Sequence, residues 1–190
     1  MTDDATPRPV TVRLATPEAT AAFGARLGAR LRAGDLLVLA GDLGAGKTTL
    51  TRGLAEGLGV RGPVTSPTFV IARVHPTLRG GPPLVHVDAY RIGSLAELDD
   101  LDLDASTEEA VTVVEWGRGL VEELAGERLE VDLVRPHGTL PGSGASADEG
   151  TSEVPVEARE VTLRGIGGRW AGVLTGLAEP DRSTSPEEGR

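Results

Sequence analysis

Eight consecutive residues, Gly41-Asp42-Leu43-Gly44-Ala45-Gly46-Lys47-Thr48, constrain this chain more than any other feature it has. They match the spacing GxxxxGK[ST] and fall between a continuously apolar run at 36–40 and a helical pattern at 47–58. Glycines at such a junction let the backbone curl until successive N–H groups face one point, and the helix N-terminus adds a favourable dipole. A cradle of that kind suits phosphate. Lys47 would bring a compact charge to the outer phosphates, and Thr48 a hydroxyl for Mg²⁺. Of 19 basic residues Lys47 is the single lysine, and all the others are arginine. A planar guanidinium fork cannot replace a point charge inside the loop, so the chemistry holds lysine here against the arginine-favouring composition. The nucleotide-binding set is therefore expected to be Asp42, Leu43, Gly44, Ala45, Gly46, Lys47, Thr48 and Thr49.

The rest of the chain supplies elements for an α/β domain. Residues 10–14 alternate like a half-buried strand. Thr16 and Pro17 open a helix whose Phe23, Leu27 and Leu31 recur every four residues until Gly34. The run at 36–40 suits a strand covered on both faces. The helix at 47–58 should stop at Gly59, with Leu50, Gly53, Leu54, Gly57 and Leu58 inward. Its two inward glycines cost about 1 kcal/mol each, which close packing of helix on sheet would explain. Residues 61–69 and 73–83 read as loops, and 84–87 as a buried strand ending at Asp88. Ser94 and Glu97 form a capping box for an acidic helix through Leu101. Residues 111–114 make a third apolar strand, ending at Glu115, and 120–124 a short helix closed by Gly126. The alternating stretches 129–133 and 161–163 look like antiparallel partners. The expectation is a three-layer P-loop fold: a mixed sheet, parallel in the centre, with an antiparallel C-terminal hairpin. Residues 10–170 would form the domain, with a flexible N-terminus at 1–9, a flexible loop at 137–155 and a disordered tail at 179–190.

In an open α/β sheet ligands lie beyond the carboxyl ends of the strands. Asp88 and Glu115 each end an apolar strand, so both are expected near the phosphates. One could hold Mg²⁺ and the other orient or deprotonate an attacking water, which makes Thr48, Asp88 and Glu115 the candidate metal ligands. Trp116 would either stack on a purine or cover a core edge. Thr65, Ser66 and Thr68 lie where nucleotide-sensing loops often contact the γ-phosphate, although Thr-Ser-Pro-Thr is equally a turn. His75 and His86 read as structural, with no evident partner.

Absences narrow the class. The chain has no Asn or Gln, so neither a guanine-reading NKxD motif nor a Ras-like glutamine is available, and the usual transporter ATPase signature is disfavoured. A small-metabolite kinase would need an acceptor pocket and usually an arginine-bearing lid after the third strand; Arg91 lies near the acids, but no lid segment dense in arginine is evident. A net charge of −10 argues against gripping nucleic acid directly. With no cysteine and no long apolar run, a cytoplasmic location away from membranes is expected.

Four motifs occur in order: GDLGAGKTT at 41–49, SPTF at 66–69, HVDAYR at 86–91 and VEW at 114–116. In that order and spacing the chain strongly resembles the TsaE (YjeE) family, the bacterial ATPases of threonylcarbamoyladenosine formation in tRNA, across about residues 14–163. The resemblance implies ATP and Mg²⁺ as cofactors and a partner-dependent ATPase, monomeric alone, that does not carry out the transfer itself. It implies docking on the TsaD–TsaB transferase heterodimer, with tRNA reached only through those partners. Asp88 and Glu115 would then serve metal binding and water activation, Trp116 would lie near the nucleotide, and Ser66 and Thr68 would belong to a switch-like loop. The chain departs from the family pattern at Ala89 (commonly Leu), at Gly117 (commonly Pro) and in lacking an aromatic near His75. The 137–155 loop and the tail also look longer than usual. None of these departures falls on a site position. A P-loop kinase and a nucleotide-dependent interaction switch stand as the alternatives.

Overall fold

The computed structural model describes residues 7–67, 71–92, 97, 108–122, 125–135 and 158–178. In chain order these form β1 (Val10–Leu14), α1 (Pro17–Gly28), β2 (Leu36–Ala40), α2 (Lys47–Leu58), β3 (Ala72–His75), β4 (Leu84–Asp88), a one-turn 3₁₀ helix (Ala89–Arg91), β5 (Val111–Glu115), β6 (Arg128–Val134), β7 (Arg159–Ile166) and α3 (Arg169–Ala178). The 94–101 helix, the 137–155 loop and the tail from 179 lie outside the described residues, apart from Glu97.

Seven strands make one sheet in the order β1-β7-β6-β2-β5-β4-β3. The centre is parallel, with β2 between β6 and β5 and β4 beyond β5. Antiparallel strands complete it: β7 on β6, β1 on β7, and β3 on β4. Continuous apolarity at 36–39 fits this place, because Leu37 and Leu39 enter the core under the helices while Leu36 and Val38 enter the core on the opposite face. That second face is covered by Ala89, Ile92, Ala110 and Val121. The alternating β6 and β7 meet as expected, with Val131 opposite Leu163.

Thr16 caps α1 by accepting from the Ala19 N–H at 3.0 Å, with Pro17 in the first turn. The helix stops at Gly28, short of the expected Gly34. Beyond it the chain tightens into turns, with the Leu31 N–H donating to the Gly28 carbonyl at 3.1 Å, and these still bury Leu31. The glycines of α2 face α1, not the sheet. A Cβ on Gly53 would lie 2.0 Å from the Ala21 carbonyl oxygen and one on Gly57 2.2 Å from that of Ala25. Gly24 and Gly28 of α1 return the contact against Leu50 and Leu54. The two backbones touch, and only glycine permits it.

Two elements depart from the sequence expectation. Residues 72–75 form edge strand β3 rather than a loop; Ala-Arg-Val-His alternates over four residues only, with Val74 exposed and His75 buried, and pairing with β4 supplies the order. The C-terminal helix α3 was not anticipated. Its Trp170, Val173, Leu174 and Leu177 are buried at i, i+3, i+4 and i+7. Arg169 at its start clamps buried Asp35 through Nε (3.0 Å) and Nη2 (2.7 Å) and also donates to the Arg30 carbonyl. Of the short helix expected at 120–124, residues 120–122 form a turn and 123–124 are not described. Among the described residues no helix is long and apolar enough to cross a membrane.

Candidate functional site

The loop between β2 and α2 turns on three glycines with positive φ: Gly41 (141°), Gly44 (77°) and Gly46 (108°). Gly41 is fixed twice over, since a Cβ there would also lie 2.3 Å from the Leu133 carbonyl oxygen. Ala45 is buried beneath the loop, whereas Leu43 stands 86% exposed at its tip. Lys47 Nζ donates to the Gly41 carbonyl (2.7 Å) and the Asp42 carbonyl (3.0 Å). It also lies 3.8 Å from the Trp116 ring centroid. Burial pushes the Lys47 ammonium below its ordinary 10.5, against the opposing pull of Glu115, Asp88 and Asp42.

Parallel pairing sets Asp88 opposite Glu115 at the carboxyl ends of β4 and β5. Both acids are nearly buried, at 5% and 3% exposure, so neither is a solvated surface group. The Thr48 hydroxyl donates to Glu115, 3.1 Å from Oε1 and 3.2 Å from Oε2. Ser66 Oγ donates to Asp88 Oδ2 at 2.9 Å, and Asp88 Oδ1 accepts the Tyr90 N–H at 3.1 Å. Ser66 is brought in from the loop after α2, which Arg52 of that helix anchors through the Val64 carbonyl at 2.9 Å. Trp116 takes a left-handed φ of 63°, rare for a bulky residue, while its N–H continues the sheet to the Leu39 carbonyl. Its ring then lies 5.2 Å from that of Tyr90.

These groups line one cleft of about 510 Å³. Of the expected nucleotide set, Leu43, Gly44, Gly46, Lys47, Thr48, Thr49 and Trp116 face it, together with Ser66, Asp88 and Glu115. Asp42 contributes its carbonyl to Lys47, and Ala45 supports the loop from below. Thr65 accepts from Arg73 instead, and Thr68 lies outside the described residues. Tyr90, Thr20 and Arg159 also line the cleft. Tyr90 could have been found from its place two residues after Asp88. Arg159 could not, because it comes from β7, far along the chain.

His86 corrects the sequence reading, which gave it no partner. It is fully buried, with Nε2 2.8 Å from Glu115 Oε1. The signal was strand alternation, since His86 is two residues before Asp88 and therefore on the same face. The donors gathered near Thr48 are hydroxyl and carboxylate oxygens, the hard set that suits Mg²⁺. Among the described residues no three acids or histidines converge as a closed metal cage.

Comparison with known proteins shows the family. Residues 14–139 match the family "Threonylcarbamoyl adenosine biosynthesis protein TsaE". The chain is 60% identical over 150 residues to the tRNA threonylcarbamoyladenosine biosynthesis protein TsaE of Streptomyces coelicolor, covering 78% of this chain and 92% of that protein. Against the Mycobacterium tuberculosis H37Rv protein of that name it is 52% identical, covering 66% and 79%. Against the Bacillus subtilis one it is 38% identical, covering 89% and 94%. The crystal structure of Bacillus subtilis YdiB superposes with a TM-score of 0.66 at 32% identity, covering 90% of this chain and 95% of that one. With the fold, the order of motifs and these relatives in agreement, the chain belongs to the TsaE family.

Proposed function

We propose that this chain is a Mg²⁺-dependent ATPase of tRNA threonylcarbamoyladenosine biosynthesis, working in the cytoplasm on the TsaD–TsaB transferase heterodimer. The observation that carries the ATPase reading is the Thr48 hydroxyl 3.1 Å from Glu115 in the cleft that also holds Lys47 and Asp88. Family membership supports the pathway. The net charge of −10 supports leaving tRNA to the partners.

In this reading the loop N–H groups and Lys47 hold the outer phosphates of ATP. Thr48, with Asp88 or Glu115, would hold Mg²⁺, which would supply positive charge against that developing on the phosphoryl oxygens. The remaining carboxylate accepts a hydrogen bond from the attacking water and aims it at the γ-phosphorus. Ser66, tied to Asp88, lets the 61–67 loop respond to what the cleft contains.

The test is phosphate release from ATP with the heterodimer present, with and without Mg²⁺, alongside a search for a phosphorylated small metabolite. Mg²⁺-dependent transfer to water is the expected result, with Glu115→Ala slower by about 100-fold or more. Transfer to a free metabolite without the heterodimer would favour a kinase. Turnover unaffected by Glu115→Ala would remove that residue from the chemistry.

A further inference from the structure

We infer that His86 is a positioning residue, whose Nε2–H donates to Glu115 and holds that carboxylate aimed into the cleft. The inference deepens the ATPase reading and rests on it. The sheet sets the geometry: Asp88 pairs with Glu115 and His86 with Val113, so alternation puts His86, Asp88 and Glu115 on one face. His86 is 0% exposed and Glu115 3% exposed, so their 2.8 Å contact is made out of water, where direction matters most.

The tautomer follows from the other ring nitrogen. Nδ1 of His86 is buried and has no hydrogen-bond partner among the described residues. A proton on Nδ1 would be a buried N–H donor with no acceptor among the described residues. A proton on Nε2 has Glu115 to accept it and leaves Nδ1 a bare lone pair, the smaller cost. Glu115 then accepts from both His86 and Thr48, so two donors fix its direction. Thr48 has reason to turn away when it meets Mg²⁺, whereas His86 is fixed in β4. His86 is thus the contact that can keep Glu115 oriented throughout a cycle.

The experiment compares wild type, His86→Leu and His86→Gln. The leucine keeps bulk without a donor; the glutamine returns an N–H near the position of Nε2. Three readouts are taken: ¹⁵N spectra of the histidine ring, Mg-ADP affinity by calorimetry, and kcat for ATP with the heterodimer. The spectra should show a proton on Nε2 of His86, and that signal should shift in Glu115→Ala. Mg-ADP affinity should stay within about threefold in both variants, while kcat falls about 10- to 100-fold in His86→Leu and largely recovers in His86→Gln. A proton on Nδ1, or a leucine variant with wild-type kcat, would overturn the inference. So would a glutamine variant as slow as the leucine one while binding Mg-ADP normally, because shape would then be the cause. If His86→Leu fails to fold, the ring spectrum and the glutamine variant decide. A wild-type chain without turnover on the heterodimer would instead overturn the ATPase reading, and the positioning role with it.

Discussion

Lys47 has three neighbours, the carbonyls of Gly41 and Asp42 and the face of Trp116, with which phosphate would compete in the proposed function. A guanidinium is too wide for that place, so Lys47→Arg should weaken Mg-ADP binding by at least about tenfold, or ~1.4 kcal/mol, in calorimetry. The same ammonium sets a pH limit. Burial lowers its pKa below 10.5, so the charged form is disfavoured in the fold and is lost at a lower pH than in an unfolded chain. Affinity for ADP, followed from pH 7 upward, should therefore begin to fall below 10.5 rather than above it. Sequence alone placed Lys47, Thr48, Asp88 and Glu115 in one site, because a loop motif and strand-ending acids are local signals. It did not pair His86 with Glu115, since that contact needs the register of two strands far apart in the chain.

At the scale of elements, the P-loop helix is locked to α1 by backbone contact at Gly24, Gly28, Gly53 and Gly57. Gly53→Ala would gain helix propensity but force a methyl onto the Ala21 carbonyl. Overpacking should dominate, lowering stability by about 1–3 kcal/mol in urea unfolding. A more stable variant would show that the helices can part without cost. The glycines were legible as a packing device, but their partner was not: periodicity marks which face is inward and is silent on what covers it. Strand β3 was missed for a related reason, as an edge strand of Ala-Arg-Val-His is ordered by its neighbour. Helix α3 had a readable apolar spacing at 170, 173, 174 and 177, hidden by glycines at 165, 167, 168, 172 and 176 that suggest loop.

Across the whole molecule, Arg169 joins the C-terminal helix to the turn before the central strand through buried Asp35. Arg169→Leu would leave that carboxylate buried without its cation, at a cost of about 3–5 kcal/mol, measurable as a lower urea midpoint with an unchanged slope. The acidic balance has a consequence at the same scale: the chain alone should show no tRNA binding that weakens with added salt, whereas the assembled complex should. Fold class and cleft come directly from the chain's own order of strand, loop, helix and acid. The biosynthetic pathway comes from kinship, and in the proposed function the two meet at Lys47. The most direct measurement is therefore ATP turnover by wild type and Lys47→Ala in the presence of the transferase heterodimer and Mg²⁺. Wild type should turn over while Lys47→Ala falls by about 100-fold or more; equal rates would contradict the account at its centre.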